Sequence, residues 1–192
     1  MKMQTFEKKL VNSKLTTWLH KHIIFPSFFN FIRIELDGKT LEIGCGIGKT
    51  TEQLAKRYNK LKIIAIDYDK EQIEQAMRNN HKNIIFQQGD ATKLQFGNDS
   101  FDYVIETNTF HHIKDYQKAI GEAHRILKSK GVFYVMDISR YFFIWPLSFL
   151  FPPESRFSKQ EFIAALEQNG FIVTKTAGIF LFFLSAKKGV AS

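Results

Sequence analysis

The sequence predicts an α/β fold, with a doubly wound, mostly parallel sheet covered by helices on both faces. Three observations predict it. Short apolar runs alternate with segments of helical spacing, which is typical of strands joined by crossover helices. A glycine-rich turn separates the first apolar run from the first of these helices. Acidic residues follow the next apolar runs, at the sheet edge where ligands bind in such folds.

The predicted strands and helices alternate along most of the chain. The strands are expected around 41–43 and at 61–66, 84–86, 101–105, 132–136, 171–176 and 179–186. Helices are expected at 49–58, at 69–79 with Asp69 and Gln72 as a capping pair, and at 115–128. Ser158 and Glu161 form the sequence pattern of a capping box, which predicts a further helix that ends at Gly170.

A single domain is predicted over 1–192, and it divides into four parts. The helical leader occupies 1–38, with apolar residues at helical spacing from 6 to 34, among them Leu15, Trp18, Leu19 and Ile23. Pro26 predicts a break in the leader. The core of alternating strands and helices, which is expected to bind a ligand, is 39–138, an apolar insertion follows at 139–157, and a helix with a terminal hairpin fills 158–192. Three interpretations of its 141–151 segment stay open: a lid on an acceptor pocket, core packing or a membrane-facing patch.

Composition narrows the class of protein. With 192 residues and 44% hydrophobic residues, the chain is long enough for one substantial core. A single cysteine, Cys45, excludes an internal disulfide framework, and the N-terminus lacks a signal-peptide pattern, so a cytoplasmic location is expected. No apolar run reaches the roughly 20 residues that span a bilayer, although peripheral contact with a membrane stays open.

The formal net charge of +8 raises the question of an anionic partner. Clustered Lys and Arg residues bind phosphates by releasing counterions. Lys56, Lys60, Lys118 and Lys128 are scattered over several predicted helices, which is typical of solvated faces. Nucleic acid is therefore disfavoured as a partner, and the oligomeric state is left open by the sequence.

The glycine-rich turn 44–48 can be tested against three ligand classes. A dinucleotide fingerprint requires a third glycine at position 49, where Lys49 stands. A phosphate-binding loop requires a glycine at position 43, where Ile43 stands. The pattern that remains has glutamate at 42 and glycine at 44, 46 and 48.

This pattern resembles motif I of the class I S-adenosylmethionine-dependent methyltransferases. Three further segments are similar to that family in the same order. Asp67 ends the second strand about 20 residues after the turn, as a ribose-binding carboxylate does. Residues 89–91 resemble the adenine-contacting segment, and 106–113 resemble motif IV with its two histidines. The resemblance is strong over 41–137 and looser outside.

The resemblance implies a Rossmann-like sheet of seven strands, mostly parallel, with an antiparallel C-terminal hairpin. It implies S-adenosylmethionine as the cofactor and S-adenosylhomocysteine as the product. The methyl group would pass by in-line displacement to oxygen, nitrogen, carbon or sulfur, and positioning would supply much of the rate. The 20 Phe residues favour a small apolar or amphiphilic acceptor. The Asn-Pro-Pro-aromatic signature of nucleobase and glutamine methylation is absent from motif IV.

The resemblance assigns the methionine portion of the cofactor to five residues. The main chain at Gly44, Gly46 and Gly48 would approach it closely, because glycine leaves the backbone bare. Glu42 would orient its ammonium group, and Glu106 would contact the same group from the motif IV side. Alternatively, Glu42 pairs with a lysine and Glu106 faces the acceptor.

Four residues are assigned to the adenosine portion. Asp67 would accept both ribose hydroxyls, and Tyr68 would pack on the adenine face. Asp90 would accept from the adenine amino group, and the backbone of Ala91 would contact a ring nitrogen. The alternatives are that Asp67 and Asp90 merely cap helices and that Tyr68 is an ordinary surface aromatic.

No catalytic residue is assigned with certainty by the motifs. His111 and His112 are the candidates for a general base, because imidazole titrates near neutral pH. Neighbouring histidines cannot both face one pocket on a helix, which favours a structural role. No metal site is expected, since His20 and His22 lack the spacing of a helical ligand pair. Two rivals stay open: a non-catalytic S-adenosylmethionine-binding module and a methyltransferase that acts on nucleic acid or protein.

Overall fold

The computed structural model of the protein describes residues 13–32, 36–78, 81–140 and 157–189, with only the backbone at 15–17. Seven described strands form one sheet in the order β3-β2-β1-β4-β5-β7-β6. They are β1 (Gly38–Ile43), β2 (Leu61–Asp67), β3 (Ile84–Gln88), β4 (Phe101–Thr107), β5 (Leu127–Ile138), β6 (Phe171–Gly178) and β7 (Leu181–Lys188). Neighbours among β1 to β5 pair in parallel, and β7 pairs antiparallel with both β5 and β6. The predicted Rossmann-like sheet with an antiparallel hairpin is confirmed.

Helices connect most of these strands. They are α1 (Lys14–Leu19), a π-helical turn (His20–Ile24), α2 (Phe25–Ile32), α3 (Lys49–Arg57), α4 (Lys70–Ala76), a 3₁₀ turn (Phe110–His112), α5 (Tyr116–Ile126) and α6 (Lys159–Gln168). The third predicted crossover helix ends two residues early, because Leu127 already pairs with Phe101 at the start of β5.

The sheet carries a hydrophobic core on each face. On one face, α5 and α6 pack against the strands through buried residues such as Ile120 and Phe162. On the other face, α2, α3 and α4 contribute Phe28, Leu54 and Ile73. Burial on both faces confines polar ligand groups to the sheet edges, so the carboxyl ends of the parallel strands become the natural binding position.

The leader differs from its prediction in two respects. Pro26 does not end the leader helix, because the helical stretch continues from Lys14 through the π-helical turn into α2, where Pro26 is the second residue. The irregularity lies just before it, where the N–H of Phe25 donates to the carbonyl of His20 across a π-helical turn. Trp18 and Ile23, predicted to share an apolar face, are 54% and 50% exposed. The 141–151 segment lies outside the described residues.

The N-terminus of α6 confirms the predicted capping box. Ser158 Oγ accepts from the N–H of Glu161 at 3.2 Å, and Glu161 Oε2 accepts from the N–H of Ser158 at 2.7 Å. Two N–H groups that the helix leaves without partners are therefore satisfied.

We expect Ser158→Ala to lower the free energy of unfolding by about 1 kcal/mol, because the N–H of Glu161 loses its acceptor. Urea denaturation followed by circular dichroism measures the change. Ser129→Ala, in the exposed start of β5, is the matched control and should alter the free energy by less than about 0.5 kcal/mol. Equal effects of the two substitutions would show that the cap contributes nothing.

Candidate functional site

A cavity of about 1160 Å³ opens at the carboxyl ends of the central strands. Its lining comes from the β1–α3 loop, the exposed face of α3, the segments after β2, β3 and β4, and the leader helices. Single small-molecule sites usually enclose about 300–1,000 Å³. The cavity is therefore large enough for two small molecules side by side.

The glycine loop is fastened to the end of β2. The N–H groups of Gly44 and Cys45 both donate to the carbonyl of Ile66, at 2.8 and 3.0 Å. Gly44, Gly46 and Gly48 have φ angles of +75°, +54° and +80°. Residues other than glycine rarely adopt such angles. The loop therefore turns sharply away from β1 and into α3.

The three glycines have different surroundings. A Cβ atom on Gly44 would lie 2.0 Å from Thr109 Oγ1, and one on Gly48 would lie 2.8 Å from Phe86 Cζ. At Gly46 the nearest atom is Oε1 of the flexible Gln72, at 3.3 Å. Gly44 and Gly46 line the cavity, whereas Gly48 does not. Gly48 thus serves close packing, and Gly46 presents bare backbone to the cavity.

Asp67 joins the loop to the cavity. Its Oδ2 accepts from the N–H of Gly46 and its Oδ1 accepts from the N–H of Asp69, both at 2.8 Å. Burial raises the pKa of the carboxyl, and these two hydrogen bonds partly oppose that shift. Each carboxylate oxygen keeps a further acceptor position. Asp67 lines the cavity, so two hydroxyl donors can still be bound there.

The other adenosine candidates share this wall. Tyr68, Asp90 and Ala91 all line the cavity. Tyr68 is 52% exposed, which leaves a ring face open to a ligand. Asp90 Oδ1 accepts from the N–H and the hydroxyl of Thr92, both at 2.8 Å. One oxygen of Asp90 thus holds the turn after β3, and the other is left for a ligand.

Glu42 is a buried carboxyl close to the loop. It is fully buried, and neither side-chain oxygen has a hydrogen-bond partner among the described residues. Burial raises its pKa to about 7, the nearby Thr51 hydroxyl lowers it somewhat, and the charge of Asp67 raises it again. Glu42 is not part of the cavity lining. An unsatisfied buried acid of this kind fits a cationic group bound near the loop.

Glu106 lies behind the cavity wall. Its Oε1 accepts from the N–H of Thr109 at 2.5 Å and from that of Phe110 at 3.4 Å. Burial and the charge of Asp137 raise its pKa well above the usual range. Glu106 is not among the lining residues, but Thr109 is. Glu106 therefore holds the loop after β4, and its contact with the cofactor stays a prediction.

The two histidines occupy one wall together. They belong to the 3₁₀ turn, and both line the cavity, although neighbouring residues of a helix were not expected to share one pocket. His111 Nδ1 lies 2.5 Å from Asp137 Oδ1, and the N–H of His111 donates to Asp137 Oδ2 at 3.2 Å. The His112 ring lies 3.9 Å from that of His111. Burial, followed by the charge of His111, lowers the pKa of His112 well below its usual value.

Sequence reasoning did not identify Asp137, and it did not say which residues of the leader line the site. Asp137 is fully buried at the end of β5, and its signal was an acidic residue directly after an apolar run, as at Asp67. The leader supplies part of the wall through Ile24, Phe25 and Phe29, which helical spacing alone did not distinguish from core residues.

Comparison with known proteins identifies the family. Residues 41–135 match the family described as methyltransferase domain. The chain belongs to the class I S-adenosylmethionine-dependent methyltransferases. Membership of this family implies S-adenosylmethionine as the cofactor.

Two curated relatives and one solved structure illustrate the similarity. An uncharacterized methyltransferase, YcgJ of Bacillus subtilis, is 37% identical over 103 residues, which cover 52% of this chain and 40% of that protein. The malonyl-[acyl-carrier protein] O-methyltransferase of Bacillus anthracis is 33% identical over 127 residues, 66% of this chain and 43% of that protein. The structure of an S-adenosylmethionine-dependent methyltransferase from Aquifex aeolicus superposes with a TM-score of 0.79 at 21% identity, over 97% of this chain and 100% of that one. The chain thus spans about two-fifths of the length of these curated relatives.

The residues present fit the cofactor. The open backbone at Gly46, the spare acceptor positions of Asp67 and the unsatisfied acid of Glu42 suit a ligand with a ribose and an ammonium group. Within the described ranges there is no group of three or more potential metal ligands. No helix in those ranges is both long and apolar enough to cross a membrane.

Glu42→Gln should make the unliganded protein more stable above neutral pH. The pKa of Glu42 is about 7 in the folded chain against an ordinary 4.5, so the folded state binds more protons between these values. Stability associated with this group is fully present below about pH 4.5 and is lost as the pH rises through 7. The substitution should recover on the order of 3 kcal/mol at pH 8 and little at pH 4.5. Thermal denaturation of both proteins across this pH range measures it, and parallel pH profiles would contradict the assignment.

Gly46→Ala should weaken S-adenosylmethionine binding by roughly tenfold or more, because its methyl group would enter the cavity. The positive φ angle adds about 1–2 kcal/mol of strain. Calorimetry gives the affinity and denaturation gives the stability. Gly97→Ala, at a glycine away from the cavity with ordinary φ, should change neither quantity. Wild-type affinity in the folded Gly46 variant would exclude close approach of the cofactor.

Proposed function

We propose that the chain transfers a methyl group from S-adenosylmethionine to a small apolar or amphiphilic acceptor. The observation that carries the proposal is a single cavity that joins the Asp67 wall to a second, apolar wall. When bound, the sulfonium cofactor supplies an electrophilic methyl carbon. The protein then needs chiefly to hold the two molecules in line and to exclude water.

In this proposal the cofactor occupies the strand-end half of the cavity. Asp67 accepts from the ribose hydroxyls, Tyr68 packs on adenine, and Asp90 with the backbone of Ala91 contacts the adenine edge. Gly44 and Gly46 admit the methionine portion. Glu42 interacts with the ammonium group through the loop or a water molecule, since it lies outside the cavity lining.

The acceptor occupies the half formed by the leader and α3. Leu19, Ile24, Phe25, Phe29 and Leu181 line it, which favours an apolar body. The similarity to the malonyl-[acyl-carrier protein] O-methyltransferase of Bacillus anthracis supports a non-nucleic-acid acceptor. The single cysteine supports a cytoplasmic location as part of the same proposal.

His111 is the residue placed to take a proton from an acceptor that must lose one. Its Nδ1 lies 2.5 Å from Asp137 Oδ1, which holds the ring in the cavity wall beside the proposed acceptor position. His112 packs against this ring, and its lowered pKa keeps it neutral at physiological pH. A carbon or sulfur acceptor that is already nucleophilic would not use this base.

The proposal is tested first by calorimetry with S-adenosylmethionine and S-adenosylhomocysteine, using adenosine triphosphate and a nicotinamide dinucleotide as controls. Binding of the two sulfur compounds alone is the expected result. Absence of binding would overturn the cofactor assignment. A screen of apolar acceptors with labelled methyl groups then separates an enzyme from a binding module, because only the enzyme forms methylated product.

Asp67→Ala should weaken binding of both sulfur compounds by on the order of 1–3 kcal/mol, through lost charge-assisted hydrogen bonds to the ribose. Calorimetry at equal ionic strength measures the loss. Glu74→Ala removes an exposed carboxylate of α4 that pairs with Lys70 at 3.7 Å and lies outside the cavity lining, and it should leave affinity unchanged. Unaltered binding in the Asp67 variant would remove this residue from the site.

A further inference from the structure

The leader exposes large apolar side chains beside the cavity. Trp18 and Ile23 are 54% and 50% exposed. Neither of them lines the cavity, whereas their neighbours Leu19, His20 and Ile24 do. One side of this helical stretch is therefore a cavity wall, and the other side presents apolar groups to solvent. Large exposed apolar patches mark surfaces that bind a partner.

A second apolar pair is exposed at the tip of the terminal hairpin. Ile179 and Phe180 lie between β6 and β7 and are 68% and 50% exposed. The carbonyl of Phe180 accepts from the N–H of Ser139 at 2.6 Å, and that of Gly178 accepts from Lys159 Nζ at 2.8 Å. The turn is therefore held in place while both apolar side chains point into solvent.

The hairpin tip and the exposed part of the leader lie at the same edge of the sheet. β7 begins at Leu181, which pairs with Ile138 at the carboxyl end of β5 and lines the cavity. Phe28 of the leader stacks on Phe183 with ring centroids 6.0 Å apart. One helical turn before Phe28, Ile24 packs against the same core as Leu181. The leader therefore runs toward the tip as its residue numbers fall, and both apolar groups border the cavity.

The charge of the leader favours one kind of partner. Between Glu7 and Glu35 the chain has five Lys or Arg residues and no Asp or Glu. Lys14 and Lys21, the two that the structure describes, are both exposed. Anionic lipid headgroups attract Lys and Arg near a membrane surface, and the interface below them takes up Trp and aliphatic side chains. A soluble anion would match the cations but leave the apolar side chains in water.

We propose that this edge of the protein docks on an anionic lipid surface. Trp18, Ile23, Ile179 and Phe180 enter the lipid interface, and the cations of the leader face the headgroups. Docking does not require methyl transfer, so the proposal goes beyond the proposed function. It brings the cavity to the place where amphiphilic molecules collect.

Co-sedimentation of the purified chain with lipid vesicles tests the proposal. One set of vesicles is phosphatidylcholine, and the other contains about one-third phosphatidylglycerol, which is anionic. We expect partitioning to the anionic vesicles to be at least about tenfold stronger, because several cations contribute to it. Equal partitioning to both sets, or no binding to the anionic set, would overturn the proposal.

Matched apolar substitutions locate the docking surface. Ile23→Ser combined with Ile179→Ser should weaken partitioning to anionic vesicles by about tenfold. Ile85→Ser combined with Ile172→Ser removes the same side chains from β3 and β6, where each is 60% exposed. This control should change partitioning by less than about twofold. Equal losses in the two double variants would show that the cavity edge is not the contact surface.

Charge removal tests the headgroup contact. Lys14→Gln combined with Lys21→Gln should weaken partitioning to anionic vesicles by about tenfold and leave partitioning to phosphatidylcholine unchanged. Lys60→Gln combined with Lys62→Gln removes the same charge at exposed positions near the start of β2 and should have less than about a twofold effect. Equal losses would mean that only overall charge matters, which would contradict the proposal.

Two further measurements separate the alternatives. Sedimentation velocity without lipid detects self-association, and a dimer that Ile23→Ser with Ile179→Ser abolishes would mean that a second copy covers this edge instead. Calorimetry with S-adenosylhomocysteine is run on the same samples. A chain that binds this compound but no vesicles refutes lipid docking alone, and a chain that binds vesicles but not this compound refutes the methyltransferase proposal alone.

Discussion

The site depends on the fastening of the glycine loop to the end of β2. One carbonyl, that of Ile66, accepts from both Gly44 and Cys45, and one carboxylate, that of Asp67, accepts from Gly46. These hydrogen bonds satisfy three successive N–H groups that leave the ladder where β1 ends. The loop can hold its positive φ angles because those bonds over-determine its path. The loop that we propose binds the cofactor is therefore held in place by the protein's own hydrogen bonds.

Asp67 illustrates how folding and binding share one group. Each of its two oxygens accepts one backbone hydrogen bond, from the N–H of Gly46 and from the N–H of Asp69. The remaining positions face the cavity. A serine or alanine here would remove ligand contacts and loosen the loop together, so loss of affinity must always be read beside the stability of the variant.

Three buried acids stand at the ends of neighbouring central strands, and each has a different environment. Glu106 accepts backbone N–H groups, Asp137 holds His111, and Glu42 has no described partner. Burial of a charged carboxylate without compensation is costly, so proteins retain such groups where they serve a site. The high pKa of Glu42 means that a bound cation would displace its proton near neutral pH. Binding at the loop is thereby linked to pH.

The sequence predicted the cavity residues at the strand ends better than it predicted the wall formed by α3 and the leader. Strand ends and left-handed turns leave strong signals, because only glycine tolerates such φ angles and apolar runs are easily recognised. Asp67, Asp90 and Ala91 were predicted from such signals, and all three line the cavity. Gly48 and Glu106 carry the same motif signals but pack behind the wall, since a motif does not say which side of the backbone a ligand occupies. Asp137 could have been predicted if the end of the fifth strand had been interpreted like the end of the second, where an acidic residue also follows an apolar run.

The wall of the cavity formed by α3 and the leader is hard to predict from the sequence, and the reason is physical. Close approach of the backbone to a ligand demands glycines at fixed positions, whereas the opposite side of the cavity is lined by side chains on the exposed face of α3. Lys49, Gln53 and Lys56 have the spacing of any solvated helix face, so their pattern predicts solvent. Only the packing of the leader against this face turns it into a cavity wall. Because α3 begins directly after Gly48, the acceptor wall continues from the cofactor loop without a break. Substitutions on its outer face can therefore alter the acceptor while the loop stays unchanged.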